Sequence, residues 1–347
     1  MIINLGKYEI GLGGQPFIIA EMSGNHNQSL EKALNIVEAA ATAGAHALKI
    51  QTYTADALTL NIREGEFFIN DKNSIWKGQS LYELYQQAYT PWDWHESIIN
   101  KANELGMICF STPFNDEAVD FLEDLNVPAY KIASFENIHL PLIRKVASTG
   151  KPMIISTGMA NLDEIETTYK TAIKFGAKGV TLLYCVSNYP SRIDDFNLRN
   201  IETIKKKFKC EVGLSDHSNT NLVSTLSLSL GARIFEKHIA LKGTRSLDSD
   251  FSLKGLEILE YRKNLDQSYN LIKDNSFKRS KDELKNKKLR CSIFSLKEIK
   301  KGEKFSSRNI RVIRPGFGLE PKFFEKIIGK KCKSNLKKNY PVLKKHI

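Results

Sequence analysis

Paired cysteines, long apolar runs and a leader-like amino terminus are all missing from this 347-residue sequence. The five cysteines are scattered and contain no C-x-x-C pair, which is typical of reduced thiols rather than of a disulfide or zinc framework. No stretch approaches the roughly eighteen uninterrupted apolar residues of a membrane-spanning helix. Residues 1–7 lack a basic region followed by an apolar one. We therefore expect a cytoplasmic globular protein that does not enter membranes, with Cys109 and Cys185 packed in its core.

Acidic residues become scarce towards the carboxyl end. Residues 1–270 carry 27 Lys and Arg against 32 Asp and Glu, whereas residues 271–347 carry 24 against 7. Apolar residues such as Phe294, Ile299 and Phe305 punctuate the basic part, which indicates a small folded domain with a charged surface. Such a surface favours solubility or docking onto an acidic partner surface. Nucleic acid is not expected as a partner, because no aromatic stacking motif accompanies the basic residues.

Apolar runs of strand length alternate with segments of helical period over the first 260 or so residues. The predicted strands are Phe17–Met22, Ala47–Tyr53, Met107–Pro113, Ala129–Ser134, Pro152–Thr157, Val180–Val186, Glu211–Asp216 and Arg233–Ile239. Eight such units predict an α/β fold, a (β/α)8 TIM barrel, over residues 1–270. A short hairpin over residues 2–5 and 8–12 precedes it, residues 271–288 read as a linker, and the small domain spans 289–347. The aromatic segment 54–90 is a candidate lid.

Two of the predicted strands end in a histidine, His217 and His238, with one helix between them. Parallel strands joined by a crossover helix end on the same face, so the two imidazoles should lie side by side where barrel enzymes do chemistry. A lone histidine at such a position is more often structural, but a pair favours a divalent ion with open positions for water and substrate.

Two lysines, Lys49 and Lys131, stand inside strands that otherwise consist of apolar residues. An unpaired charge there costs several kcal/mol, so each requires an anionic ligand or a glutamate partner. Serines and threonines at neighbouring strand ends would suit a small phosphorylated carboxylate, although each one alone is better explained as a cap or turn residue. Glu136 lies close enough to act as an acid or base, or simply as the counter-ion of Lys131.

Seven motifs in order resemble the sialic acid synthases, at residues 17–27, 49–53, 110–114, 130–134, 155–159, 213–217 and 314–316. The resemblance covers essentially the whole chain. It implies a metal-dependent barrel followed by an antifreeze-like (SAF) domain, in a domain-swapped homodimer whose small domain caps the partner's active site. It also implies condensation of phosphoenolpyruvate with an N-acetylated sugar. Residues 21–30 and 51–56 are most similar to the pseudaminic acid branch, whose sugar is 2,4-diacetamido-2,4,6-trideoxy-L-altrose.

The resemblance also implies roles for individual residues. It makes His217 and His238 the ligands of a divalent metal, Mn²⁺ with Mg²⁺ or Co²⁺ as alternatives, and Glu136 the general acid/base. Glu21 and Asp248 would be catalytic residues facing the sugar, together with Gln51 and Tyr189, and Arg314 would reach in from the other subunit. Phosphoenolpyruvate is assigned to Lys49, Lys131, Ser134, Ser156, Ser187 and Ser215. Leu247 stands where the family often has proline, which leaves open whether Asp248 or Asp250 points inward.

Three other functions fit parts of the pattern. A strand-borne lysine in a barrel is also how Schiff-base aldolases work, with Lys49 or Lys131 as the nucleophile. The basic tail alone would suit a polyanion-binding protein. A sister synthase that makes neuraminate or legionaminate would differ only in its sugar substrate.

Overall fold

The computed structural model describes residues 3–11, 13–72 and 74–347. The chain forms two compact units, Met1–Asp274 and Asn275–Ile347, so the division falls inside the segment predicted as a linker. The predicted (β/α)8 barrel is confirmed, since eight parallel strands form a sheet that closes by pairing the eighth strand with the first. The barrel strands are β1 (Phe17–Glu21), β2 (Ala47–Thr52), β3 (Ile108–Pro113), β4 (Tyr130–Ile132), β5 (Met153–Ser156), β6 (Val180–Cys185), β7 (Val212–Asp216) and β8 (Ile234–Ala240).

One outer helix follows each strand. These helices are α1 (Leu30–Thr42), α2 (His95–Glu104), α3 (Asp116–Asp124), α4 (Leu140–Ser148), α5 (Leu162–Lys174), α6 (Asn200–Phe208), α7 (Leu222–Ser229) and α8 (Leu256–Ile272). Side-chain caps start several of them: the Ser29 side chain accepts from Lys32 N–H, and Asn161 and Glu164 form a capping box at α5. Their apolar faces pack on the outside of the barrel, where Ile143, Val146 and Leu228 are fully buried.

The amino-terminal hairpin, Ile3–Leu5 with Tyr8–Ile10, closes the bottom of the barrel. Its residues Ile3, Leu5 and Ile10 belong to one buried cluster with apolar side chains from the amino halves of the strands, including Ile19, Phe110 and Ile234. The hairpin was predicted from the sequence, although Ile2 and Leu12 of that prediction lie outside the described residues. Because the described side chains of this cluster are apolar, the polar inward-facing side chains lie towards the carboxyl end of the barrel.

The long connection between β2 and α2 carries two short helices, Ala55–Leu58 and Leu81–Ala88. The second begins with a capping box between Ser80 and Glu83. Gln28, just before α1, donates its side-chain amide to the carbonyls of Gln87 (3.1 Å) and Tyr89 (2.7 Å). This excursion is therefore tied to the β1–α1 loop at the carboxyl end of the barrel.

The carboxyl-terminal unit has its own core. Strands Ser292–Ser295 and Ile310–Ile313 pair antiparallel, and Ile293, Phe305 and Leu336 are buried with their neighbours. Short helices span Lys281–Lys285 and Phe324–Ile327, with single 3-10 turns at Asn286–Leu289, Pro321–Phe323 and Lys344–His346. The helix Lys281–Lys285 lies within the predicted linker. Across the described part of the chain, none of the helices combines the length and the apolar character needed to cross a bilayer.

Candidate active site

The inward-facing side chains of the barrel change from apolar to polar along each strand. In β2 the alternating positions are Ala47, Lys49 and Gln51, and in β8 they are Ile234, Glu236 and His238. Successive side chains of a strand point to opposite faces, so one polar layer of all eight strands meets in the upper half of the barrel. This arrangement gathers the residues that the sequence analysis selected one strand at a time.

Lys49 and two glutamates form the centre of this layer. The Lys49 ammonium lies 2.7 Å from Glu21 Oε2 and 3.8 Å from Glu236 Oε2, and it donates to Thr112 Oγ1 at 3.2 Å. Burial works against the charge of Lys49, but the Glu21 and Glu236 carboxylates outweigh it and raise the pKa of Lys49. The glutamate partner expected for Lys49 is therefore present in both Glu21 and Glu236. Gln51 donates to the other oxygen of Glu21 at 2.8 Å.

Lys131 lies across the same carboxylate. Its ammonium is 3.5 Å from Glu236 Oε1 and donates to Ser156 Oγ at 2.7 Å, while Ser215 Oγ donates to Glu236 Oε1 at 3.0 Å. Burial lowers the pKa of Lys131 although Glu236 opposes that effect. The salt-bridge partner of Lys131 is therefore Glu236, and the Glu136 carboxylate, which the sequence left open as its counter-ion, forms no ion pair with it among the described residues.

Glu136 stands in the loop between β4 and α4, held by backbone hydrogen bonds at both ends of its turn. Its Oε2 atom is buried and has no hydrogen-bond partner. Burial raises the pKa of the Glu136 carboxyl to about 7, with Lys131 lowering it only in part. A carboxyl group poised near neutrality with a free oxygen can accept and return a proton at physiological pH.

Two of the predicted serines meet at Gly158, and a third precedes it in the chain. The Gly158 backbone N–H donates to Ser134 Oγ at 3.2 Å, and a Cβ added at Gly158 would lie 2.1 Å from Ser187 Oγ. The third, Ser156, is two residues before it on β5. A backbone amide with hydroxyls on either side, next to Lys131, is a cradle for the oxygens of an anionic ligand.

His217 and His238 lie side by side, with ring centroids 5.3 Å apart. His217 Nδ1 is 3.1 Å from the Val186 carbonyl, which orients the ring and leaves Nε2 free for a ligand. The Nδ1 atom of His238 is buried without a hydrogen-bond partner, and Asp248 Oδ2 lies 3.8 Å away. No three His, Cys, Asp or Glu side chains of the described residues form a group that could hold an ion together. Two imidazoles with an unsatisfied nitrogen nevertheless fit an ion that takes its other ligands from substrate and water.

Asp248 points inward and Asp250 does not. The buried Asp248 donates its backbone N–H to Asn25 Oδ1 at 3.1 Å, and Asn25 Nδ2 donates to the Ile239 carbonyl at 2.8 Å. Asp250 is exposed on the rim. The choice left open by the missing proline is thus decided by Asn25, which fastens the β8–α8 loop to the barrel.

Aromatic rings form one wall of the site. Tyr189 lies with its ring 4.4 Å from that of His217, and Phe251 lies 4.8 Å from His238. Trp76 of the excursion is 5.7 Å from Tyr189. A cleft of about 420 Å³ opens beside Trp76, lined also by Gln28, Gln79, Arg245 and Asp250 among others. Cys185 is buried as expected, yet it belongs to the site rather than to plain core, since its Sγ is 3.8 Å from His217 Nδ1.

Comparison with known proteins decides the family. Residues 36–276 match the model of the NeuB family, and residues 290–347 match that of the SAF domain. The chain belongs to the NeuB family. The pseudaminic acid synthase of Campylobacter jejuni subsp. jejuni is a relative of this NeuB chain. The two are 43% identical over 322 residues, which cover 92% of this chain and 93% of the relative. The N,N'-diacetyllegionaminic acid synthase of the same strain is 35% identical, covering 93% and 97%.

A solved structure shares the fold. The N-acetylneuraminic acid (sialic acid) synthetase from Leptospira borgpetersenii serovar Hardjo-bovis, in complex with citrate, superposes with a TM-score of 0.72 at 28% identity. The superposition covers 82% of this chain and 95% of that one. The resemblance to the sialic acid synthases seen in seven motifs is therefore confirmed, and with it the barrel followed by a SAF domain.

Arg314 of this NeuB chain lies in the SAF unit. It is exposed, directly after the strand Ile310–Ile313, and precedes Pro315. Within its own unit it forms none of the ion pairs seen among the described residues. Its assignment to a substrate remains a prediction.

No role was predicted for Glu236 or Phe251, which the NeuB barrel brings into the site, and Asn25 stood out only as part of the motif at residues 17–27. Glu236 was passed over because it stands inside an apolar strand with no loop to mark it. A signal was available, since a charged residue two positions before His238 must point to the same face as that histidine. Nothing in the local sequence of Asn25 or Phe251 reveals their contacts. The partner of Asn25 is more than 200 residues away in the chain, and Phe251 meets the His238 ring only because the loop after β8 folds back over it.

Proposed function

We propose that this chain is a pseudaminic acid synthase, which condenses phosphoenolpyruvate with 2,4-diacetamido-2,4,6-trideoxy-L-altrose and water to give pseudaminic acid and phosphate. The observation that carries the sugar assignment is the 43% identity to pseudaminic acid synthase along 93% of that protein. The legionaminic acid synthase of the same strain reaches 35% over a comparable span. The alternatives are therefore N-acetylneuraminate or legionaminate synthesis at the same site.

In this proposal the anionic phosphoenolpyruvate occupies the polar layer. Lys49 and Lys131 supply positive charge, and Ser134, Ser156, Ser187 and Ser215 surround its oxygens with hydroxyl groups. The buried carboxylates of Glu21 and Glu236 keep both lysines fixed before the ligand arrives, so the site is preorganised. The sugar lies towards Gln51, Tyr189 and Asp248.

His217 and His238 would hold a divalent ion, Mn²⁺ with Mg²⁺ or Co²⁺ as alternatives. Such an ion supplies Lewis-acid polarisation of an aldehyde oxygen. Carbon 3 of phosphoenolpyruvate then forms a bond to the aldehyde carbon of the open-chain sugar, and positive charge develops at carbon 2. Glu136 takes a proton from the water that adds at carbon 2. The same carboxyl returns that proton to the departing phosphate oxygen as the carbon–oxygen bond breaks. The proton of the carbon 2 hydroxyl, which becomes the keto group, goes to the alkoxide formed from the aldehyde oxygen.

Exposed apolar side chains on the surface of the barrel support the proposed dimer. Phe135, Ile138 and Met159 are each at least 60% exposed in the loops that follow β4 and β5, next to Glu136. Large apolar side chains clustered at a polar active-site mouth are typical of a surface that a partner covers. We propose that a second copy covers it and that Arg314 of the partner subunit reaches the substrate.

The test is phosphate release from phosphoenolpyruvate with Mn²⁺ and three sugars in parallel: the diacetamido-trideoxy-altrose, its legionaminate-pathway counterpart and N-acetylmannosamine. Turnover with the altrose alone supports the proposal, and preference for another sugar reassigns the substrate within the family. If none releases phosphate, the synthase reaction is wrong. Borohydride trapping with pyruvate then tests the Schiff-base alternative at Lys131, whose lowered pKa favours it.

Removing the metal tests its role separately. Chelation should abolish phosphate release, and added Mn²⁺ should restore it in the unmodified chain but not in His217→Ala or His238→Ala. Full activity of those variants in chelator would contradict the metal role while leaving the synthase assignment intact.

A further inference from the structure

A buried ion pair joins the two strands that carry the histidines, on the opposite face from the site. Asp216 and Lys237 each precede one of the histidines and are partners in the register of β7 and β8. Lys237 Nζ lies 3.2 Å from Asp216 Oδ2, and both side chains are almost completely buried. The pKa of Tyr261 in α8 is raised by burial and, second, by the nearby Asp216 carboxylate. The ion pair therefore lies on the helix side of the barrel wall. The proposed reaction makes no use of either residue.

The pair also holds the backbone on both sides of His217. Ser218 donates its N–H to Asp216 Oδ1 at 2.8 Å, and the Lys237 ammonium donates to the carbonyl of Ser218. The His217 carbonyl accepts from the Ser191 N–H at 3.0 Å. His217 lies just beyond the last residue of β7, so its backbone is held by this one bond from Ser191 and by the side-chain bonds to the neighbouring Ser218.

We infer that Asp216 and Lys237 are positioning residues that set the spacing of His217 and His238 for the divalent ion. Successive side chains of a strand point to opposite faces. Since Asp216 and Lys237 hold β7 and β8 in register from the outer face, the next residues, His217 and His238, are held opposite one another on the inner face. The ring centroids lie 5.3 Å apart as a result. The inference rests on the metal role in the proposed function, and it adds that the outer pair controls metal affinity.

A purely structural role makes a different prediction. Replacing both partners of a buried ion pair by uncharged residues often leaves stability unchanged or improved, because the cost of desolvating two charges disappears with them. The variant Asp216→Asn/Lys237→Met removes both charges but keeps an oxygen that can accept from Ser218 N–H. If the pair serves only stability, a variant that remains folded should bind the metal as tightly as the unmodified chain. If it positions the histidines, affinity should fall in a variant that remains folded.

The experiment measures Mn²⁺ binding to the metal-free full chain from the electron paramagnetic resonance signal of the free ion, with thermal unfolding recorded for the same samples. For Asp216→Asn/Lys237→Met we expect the Kd for Mn²⁺ to rise about 10- to 100-fold, as when groups that orient metal ligands are removed. Lys237→Arg, which can still reach both partners, should bind within about threefold of the unmodified chain. Tyr130→Phe is the matched control, since it removes a partly buried hydrogen bond to Glu123 from the helix side of β4, away from both histidines.

Unchanged Mn²⁺ affinity in the folded double variant would overturn the inference, as would an equal loss in Tyr130→Phe at a similar unfolding temperature. If the double variant does not fold, Lys237→Gln is read by the same two criteria. Failure of the unmodified chain to bind Mn²⁺ would refute the metal role and this inference with it. Phosphate release in chelator would show separately whether the synthase assignment stands.

Discussion

Glu136 combines three properties that a proton-transferring residue needs: its Oε2 atom is buried, that oxygen has no hydrogen-bond partner, and its pKa is raised to about 7. It must begin as a carboxylate to accept a proton from water. We therefore expect kcat/KM to be constant above about pH 7 and to fall about tenfold for each unit below it. The measurement is phosphate release between pH 5.5 and 9, with the rate at each pH taken at low sugar concentration.

Glu136→Gln separates this group from others that titrate nearby. The variant should lose about 10²- to 10⁴-fold in kcat and should also lose the acidic limb of the profile. Its KM for phosphoenolpyruvate should change little, because Gln occupies the same volume. An acidic limb at the same pH in this variant would assign the titration to another group or to the substrate.

Gly158 has no side chain, and this leaves room for the hydroxyls of Ser134 and Ser187. A methyl group there would lie 2.1 Å from Ser187 Oγ and 2.7 Å from Ser134 Oγ, so both hydroxyls would have to move. We expect Gly158→Ala to raise the KM for phosphoenolpyruvate about tenfold, corresponding to an overpacking strain of about 1–3 kcal/mol. Gly179→Ala at the other end of the barrel, where the new methyl meets only Ile3 at 3.3 Å, is the control. An equal rise in KM in both variants would show that the cradle is not specific.

At the scale of the element, the β-strand sets which residues can act together. Glu21, Lys49 and His238 come from distant parts of the chain, yet each lies on the inward face at the same height because the strands are parallel and in register. The loops then add what strands cannot: Glu136 after β4, Asp248 after β8 and Trp76 in the excursion.

The excursion depends on Gln28, whose side-chain amide bonds two of its carbonyls and whose own φ is 51°. Gln28→Ala should raise the KM for the sugar about three- to tenfold, because the two exposed hydrogen bonds together contribute about 1 kcal/mol, and should leave the KM for phosphoenolpyruvate unchanged. Gln28→Gly should show the same kinetic change but unfold at a higher temperature than the alanine variant, since glycine adopts a positive φ without strain.

Steady-state kinetics with each substrate varied in turn, together with thermal unfolding, test both statements about Gln28. Gln86→Ala serves as the control because Gln86 is exposed on the same short helix. A rise in the KM for phosphoenolpyruvate that matches the rise for the sugar would mean that Gln28 supports the whole barrel mouth instead of the excursion.

At the scale of the whole molecule, the acidic barrel and the basic SAF unit are expected to meet between subunits. Mixing Glu136→Gln with Arg314→Ala chains tests this directly. If Arg314 acts in the partner's site, each mixed dimer contains one intact site, and an equilibrated equal mixture should recover about a quarter of the unmodified activity. If Arg314 acts within its own chain, mixing should recover nothing. Analytical ultracentrifugation of the same samples establishes that dimers are present and exchange.

Much of this protein could be predicted from its sequence. The eight strands were located to within about two residues, because buried parallel strands are continuous apolar runs and helices repeat with a different period. The two in-strand lysines and the two strand-end histidines also stood out, since a charge in an apolar run needs a partner and adjacent parallel strands end on one face. Six of the seven motifs that carry the family resemblance lie on these barrel strands or at their carboxyl ends, and the seventh lies in the SAF unit.

Only the tertiary structure decided which partner each of these groups takes. Glu236 pairs with both lysines, Glu136 is left with a free oxygen, and Asn25 turns Asp248 inward. The sequence could state that Lys49 needs a carboxylate, but several carboxylates stood within reach of the predicted strand ends. Closing the barrel chooses among them, because distance and burial are set by the register of all eight strands together and by no single stretch of chain.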